Sequence, residues 1–287
     1  MNWEKLYNID RRIIFIVMAL AIIIPLIFPS NPEMGTQRIT QQLFDTVEEI
    51  NPEEQCLMIS SDYTPQTEAE NHPMAISLLR HAFARRLPVL MLVLYVEGAP
   101  LLDNALNQVM DEFNVHATSN ADSIIYGRDV VYLGWQPPPI IPILSMGRSI
   151  RGVYLQDFYG TDTDSLELTQ WTHSYEQVGL VAAISSGSSP IWFAVYAQPK
   201  FGVKVAACCT AVMAPDYYPY TRSGQMSGML AGMKGAAEYE ELIESKYDLG
   251  VRRKATEGMA SQSVAHIAIM IFVIIGNIAY FATRRNS

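Results

Sequence analysis

The sequence predicts an α/β protein: an open, mostly parallel sheet of five strands with helices on both faces, flanked at each end of the chain by an apolar helix. Three observations carry this expectation. Five short apolar runs, "CLMIS" (56–60), "PVLMLVLYV" (88–96), "RDVVYLGW" (128–135), "LVAAIS" (180–185) and "VKVAACCTAV" (203–212), alternate with helical patterns. The runs are continuously apolar rather than alternating, as expected of strands covered on both faces. Two stretches without Asp, Glu, Lys or Arg, 13–28 and 264–283, lie near the termini. Strands alternating with helices in this way point to a doubly wound sheet of Rossmann-like or flavodoxin-like type.

The terminal stretches read as membrane spans. "VAHIAIMIFVIIGNIAYFAT" (264–283) is long enough to cross a bilayer core, while "IIFIVMALAIIIPLIF" (13–28) is at the short limit, since a span needs about 17–25 residues. Extending the first back through Leu6–Ile9 places Arg11 and Arg12 at the headgroups, where long basic side chains snorkel. "PSNPEMG" follows it instead of a small-x-small cleavage pattern, so it is read as an uncleaved anchor. Arg11 and Arg12 abut this first span, and its far side opens with "PSNPE". The positive-inside rule then puts both tails, 1–12 and 284–287, in the cytoplasm and the central domain outside. Within the second span, Asn277 beside Gly276 suggests close helix contact.

Between the anchors the elements follow in order. Residues 29–51 form a linker and an amphipathic helix with Ile39, Leu43, Val47 and Ile50 on one face, ended by "NPEE". The α/β domain then runs over 52–250. Thr67 and Glu70 have capping-box spacing, which starts a helix that reaches about Arg86. A second helix covers roughly 100–113. The third and fourth strands are separated by a long insertion, 136–178, which opens with "QPPPIIPILSMG" and passes through "DFYGTDTDS" to a short helix around Leu166–Tyr175. Connections of this length are unusual in compact domains, and its apolar residues are expected to pack on the domain's own sheet.

"SGQMSGMLAGMKGAAEYEEL" (223–242) reads as a helix with small residues at every fourth position. One row is Ser223, Ser227, Ala231 and Gly235; the next is Gly224, Gly228, Gly232 and Ala236. Glycine inside a helix costs about 1 kcal/mol relative to alanine, so close approach of another surface is expected to offset it. That surface is either the domain's own sheet or a partner helix, including a second copy. Gly224, Gly228, Gly232 and Ala236 are therefore the candidate interaction face. A polar linker, 251–263, leads to the second span.

The chain carries 20 basic and 29 acidic residues, a net charge of −9, which argues against a nucleic-acid partner. Cys56, Cys208 and Cys209 have no zinc spacing and read as small buried hydrophobes. The histidines are scattered without metal-binding spacing, and no nucleophile elbow or P-loop occurs. Nothing in the sequence calls for a metal or a cofactor. In an open α/β sheet, ligands bind beyond the carboxyl ends of the strands. The residues expected there are Ser61 and Asp62 after the first strand, Glu97 after the second, and Ser186, Gly187 and Ser188 after the fourth. The leading expectation is a non-enzymatic interaction or scaffold subunit of a membrane assembly, bound to a protein partner or to copies of itself. The alternative is a membrane-anchored enzyme or small polar-ligand receptor. There Asp62 or Glu97 would accept a proton and the Ser186–Ser188 loop would donate to an anion.

Overall fold

The computed structural model describes residues 10–28, 35–115, 117–119, 122–137 and 139–286. The described residues divide into two compact units: Gly35–Arg252, and a terminal unit made of those before Gly35 and those from Arg253 onward.

The central unit is an α/β domain built on one parallel sheet. Its strands are β1 (Cys56–Asp62), β2 (Val89–Val93), β3 (Val130–Trp135), β4 (Val178–Ser185), β5 (Val205–Cys209) and β6 (Met229–Ala231). They lie in the order β3-β2-β1-β4-β5-β6, and every neighbouring pair is parallel. The sheet therefore has six strands, not five.

The sixth strand falls within the stretch read as a glycine-rich helix, and that reading is corrected. Gly224 and Gly232 have φ of +78° and +61°, left-handed values through which a right-handed helix cannot run. Between them Met229–Ala231 extends along β5, with Ala207 opposite Met229 and Cys209 opposite Ala231. The helix α11 (Gly232–Tyr247) begins only after this strand.

All residues of β1, β2, β4 and β5 are buried, which accounts for the unbroken apolar runs. On one face Met58, Leu90, Val131 and Val181 pack with Ile143, Met146, Ile150, Phe193 and Tyr217. On the other, α3 (Glu68–Ala84) lies against β4 and β5 and is flanked by α4 (Ala99–Asn114) and α11. The insertion between β3 and β4 supplies part of the first layer through three short helices, α5 (Ile140–Met146), α6 (Ile150–Val153) and α7 (Glu167–Trp171). Ile143, Met146, Ile150 and Leu168 of the insertion join the core, as expected, while Ile141, Leu155 and Tyr159 stay exposed. The insertion also touches the edge strand, where the Phe158 N–H donates to the Tyr132 carbonyl at 2.8 Å.

Charged groups join the helices of the second layer. Glu48, ending α2 (Arg38–Glu48), accepts from His81 Nε2 at 3.0 Å and Tyr247 Oη at 2.6 Å. Arg85 Nε and Lys246 Nζ lie 3.1 and 2.9 Å from its other oxygen. Burial by itself would raise the Glu48 pKa, but the donors from His81, Tyr247 and Lys246 outweigh it and hold the carboxyl at about 2. At α3 the expected capping box is absent, because Thr67 makes no side-chain cap. Glu70 instead accepts the Ala211 N–H at 2.8 Å, which ties the helix start to the segment leaving β5.

In the terminal unit, α1 (Arg11–Ile27) and α12 (Lys254–Asn286) pack against each other. Asp10 caps α1 by accepting the Arg12 N–H at 2.9 Å. Among the described residues, one helix, over Lys254–Arg284, is long and apolar enough to cross a membrane. It begins ten residues ahead of the expected span and absorbs most of the expected 251–263 linker. The contact inferred at Gly276 is also corrected. No atom lies within 4 Å of a Cβ built there, and Asn277 Nδ2 donates back to the Val273 carbonyl at 2.9 Å. Residues 1–9 of the first tail, 29–34 of the first linker, and Ser287 lie outside the described residues.

Candidate functional site

From β1 the chain winds outward through β2 to β3, then returns to place β4 on the other side of β1. The order reverses between β1 and β4, and the crevice at their carboxyl ends is where such sheets take ligands. Asp62 and Ser185 face each other across that point.

Asp62 is buried, with one oxygen accepting the Leu94 N–H at 2.5 Å and the other the Ser60 hydroxyl at 3.2 Å. Burial pushes its pKa up to about 6 against the opposing pull of these donors. Ser185 Oγ donates to the Asp62 carbonyl at 3.2 Å and accepts the Gly187 N–H at 2.9 Å. The Gly187 carbonyl is in turn held by the Tyr217 hydroxyl. The loop after β4 is therefore braced internally, and the Gly187 N–H is engaged rather than offered to a ligand. Ser186 is half-buried and Ser188 is exposed. Ser188 precedes the four-residue helix α8 (Ser189–Trp192) without a side-chain cap bond.

Ser61 is buried beneath Gly98, where an added Cβ would come within 2.8 Å of the Ser61 carbonyl oxygen. Glu97 is exposed on a single 3₁₀ turn, Val96–Gly98. The structure thus brings Asp62 together with Ser185 and leaves Glu97, Ser186 and Ser188 on the rim. Near this point the buried Tyr154 Oη has no hydrogen-bond partner among the described residues. Ser189 neighbours the Asp62 carboxylate, and Tyr154, whose phenol is raised first by burial, also feels its charge. Tyr154 and Tyr217 reach this region from the insertion and from α10 (Ala214–Arg222), and no local pattern marks either of them.

A cavity of about 850 Å³ opens beside the end of β3, between that strand and the insertion. Trp135 and Phe158 form aromatic walls, and Arg151, Asp157, Asp162 and Asp164 contribute charge. Around the same carboxyl edge of the sheet, large apolar side chains stand in solvent: Tyr95 and Val96 after β2, Trp135 at the end of β3, and Val212 after β5.

The candidate interaction face Gly224, Gly228, Gly232 and Ala236 is not one helix face. Gly228 passes so close to α2 that an added Cβ would lie 2.5 Å from Leu43 N. At Gly232 the Cβ would meet Ala211 Cβ at 2.7 Å, whereas Gly224 has open space. Ala236 is buried in α11. Close approach is thus required at Gly228 and Gly232, by neighbouring segments of the same domain.

Cys56, Cys208 and Cys209 are buried free thiols. Among the described residues, no group of three or more His, Cys, Asp or Glu side chains is placed to hold a metal ion. No protein-family model, curated protein or solved structure matches the chain.

Proposed function

We propose that the protein is a non-enzymatic interaction subunit of a membrane assembly: an α/β domain of Rossmann-like strand order, anchored through α1 and α12, that receives a protein partner at the carboxyl edge of its sheet. Both helices are read as spans, with both termini cytoplasmic and the domain outside. The observation that carries the reading is the exposure of Tyr95, Val96 and Trp135 at the ends of the neighbouring strands β2 and β3, with Val212 exposed at 84% beyond β5 on the same edge. Tyr95, Val96 and Trp135, grouped at the ends of two adjacent strands, favour a partner, because soluble surfaces rarely keep large contiguous apolar patches open. Gly228 and Gly232 are met by Leu43 and Ala211 of the same domain, which leaves the carboxyl rim as the face open to a partner. Extraction of the full chain in mild detergent, followed by mass measurement, tests the assembly. A discrete particle heavier than one chain supports it; a strictly monomeric particle without a co-purifying protein contradicts it.

A second reading keeps the same edge but makes it a small polar-ligand or catalytic site. It is favoured by the unpartnered Tyr154 hydroxyl, which feels the charge of the buried Asp62. In this reading Asp62 is the proton acceptor, matched to near-neutral pH by its burial. A thermal-shift screen of the full chain against nucleotides, sugars and amino acids tests it, and stabilisation that disappears in Asp62→Asn is the expected result.

A further inference from the structure

We propose that the cavity at the end of β3 is a binding site for an organic cation, an alkylammonium group carried by a small amine. Its volume of about 850 Å³ lies within the range of small-molecule pockets, about 300–1,000 Å³. Its two aromatic walls are partly open, Trp135 at 42% and Phe158 at 40% exposure. Both rings are fixed before any ligand arrives. Trp135 Nε1 donates to the Leu94 carbonyl at 3.1 Å. Phe158 stacks on Tyr132 with centroids 4.4 Å apart, and its backbone N–H is bonded to the Tyr132 carbonyl. Rings held in this way attract a cation through the negative potential of their faces at little entropic cost.

The charge on the walls decides the sign of the ligand. Three carboxylates, Asp157, Asp162 and Asp164, stand against one guanidinium, Arg151. Arg151 is paired with Asp164 at 2.5 Å and also approaches His173 Nδ1 at 3.5 Å. That pairing leaves Asp157 and Asp162 as the net charge of the lining. Asp157 accepts from Tyr126 Oη at 2.7 Å and from the N–H groups of Tyr159 and Thr161 at 3.0 and 2.7 Å. It is buried and fixed, a source of field more than a contact. Asp162 is exposed and uses one oxygen to cap the Asp164 N–H at 3.0 Å. An anion is repelled by this lining, and a neutral polyol gains nothing from its charge. A cation gains from both the carboxylates and the rings.

Three probes of similar length and different charge test the assignment on the full chain in lipid nanodiscs: butane-1,4-diamine, butane-1,4-diol and succinate, titrated by calorimetry. Saturable binding of the diamine is expected, with the diol and succinate at least tenfold weaker. Asp162→Asn keeps a capping side chain, since asparagine caps as well as aspartate, and is expected to weaken the diamine threefold or more. Arg151→Gln leaves Asp164 uncompensated and is expected to tighten it. Trp135→Ala should weaken the diamine while the protein keeps its melting temperature within a few degrees. Equal binding of diol and diamine, preference for succinate, or no diamine binding at millimolar concentration to the folded protein each overturns the proposal. Because Trp135 belongs to both the cavity and the carboxyl rim, the titrations use chain purified free of other proteins, so that failure of diamine binding and absence of a partner are read separately.

Discussion

Asp62, the last residue of β1, accepts the backbone N–H of Leu94, one residue beyond β2, at 2.5 Å. This bond holds the ends of two adjacent strands together beside the point where strand order reverses. The carboxylate is nevertheless buried, so the charged form is disfavoured in the folded state and its pKa stands at about 6 instead of 3.8.

A pH dependence follows from that shift. Because the folded pKa lies above the unfolded one, the native state binds the proton more tightly between them. Protonation therefore stabilises the fold, fully below about pH 4, and the stabilisation is lost as pH rises through 6. About two pKa units correspond to about 3 kcal/mol. Asp62→Asn keeps an acceptor for Leu94 without a charge. Its unfolding free energy is expected to exceed that of wild type at pH 7.5 and to converge with it near pH 4. Denaturant melts across this range check the prediction, and parallel curves for the two proteins would contradict it.

Glu48 acts in the opposite direction. Its carboxyl is held at about 2 rather than 4.5, so its contribution is present above about pH 4.5 and is lost as pH falls toward 2. The shift corresponds to about 3 kcal/mol. Lys246, one of its partners, is half exposed, so solvent screening reduces this to about 1–2 kcal/mol. Glu48→Gln is expected to lose about that much stability at pH 7 and nothing at pH 2, as read by thermal or denaturant melts.

The glycines separate internal packing from association. A Cβ at Gly228 meets backbone atoms of Leu43 at 2.5 and 2.7 Å, which no side-chain rotation relieves. Gly228→Ala is expected to cost about 3 kcal/mol, the upper range of overpacking. At Gly224 the space is open and only the positive φ is strained, so Gly224→Ala should cost about 1–2 kcal/mol. Neither change should alter the mass of the extracted particle while the domain stays folded. Altered association with unchanged stability would restore the glycine strip as an interface.

Buried thiols provide a further check. Desolvation pushes Cys56 and Cys209 up to about 12 and raises Cys208 as well. Since the thiolate is the reactive species, native protein at pH 7.5 should label with maleimide only at the rate of unfolding, and all three cysteines should react in guanidinium. Rapid stoichiometric labelling of native protein would contradict this burial.

Much of the sheet was legible because burial on both faces writes each long strand as an unbroken apolar run, as in "CLMIS" and "LVAAIS". β6 was not, because three residues at a sheet edge carry little signal. Small residues spaced by four around it imitate a helix, although two of the glycines have left-handed φ. Asp62 and the serine loop were legible as strand-end residues. The bonds that engage Gly187 were not, since Tyr217 reaches it from 30 positions away. The cavity at β3 was invisible for the same reason: Phe158 and Asp162 meet Trp135 only after the insertion folds back along the edge strand.

The claim that the carboxyl rim of the sheet receives a protein partner is tested most directly by photocrosslinking in intact cells from two exposed valines. Val212 follows β5 on that rim, while Val115, 73% exposed, ends α4 away from it. A photoreactive residue at 212 is predicted to give one discrete adduct, with a partner or a second copy, and the same residue at 115 none. Equal adducts at both positions, or none at 212, would contradict the account.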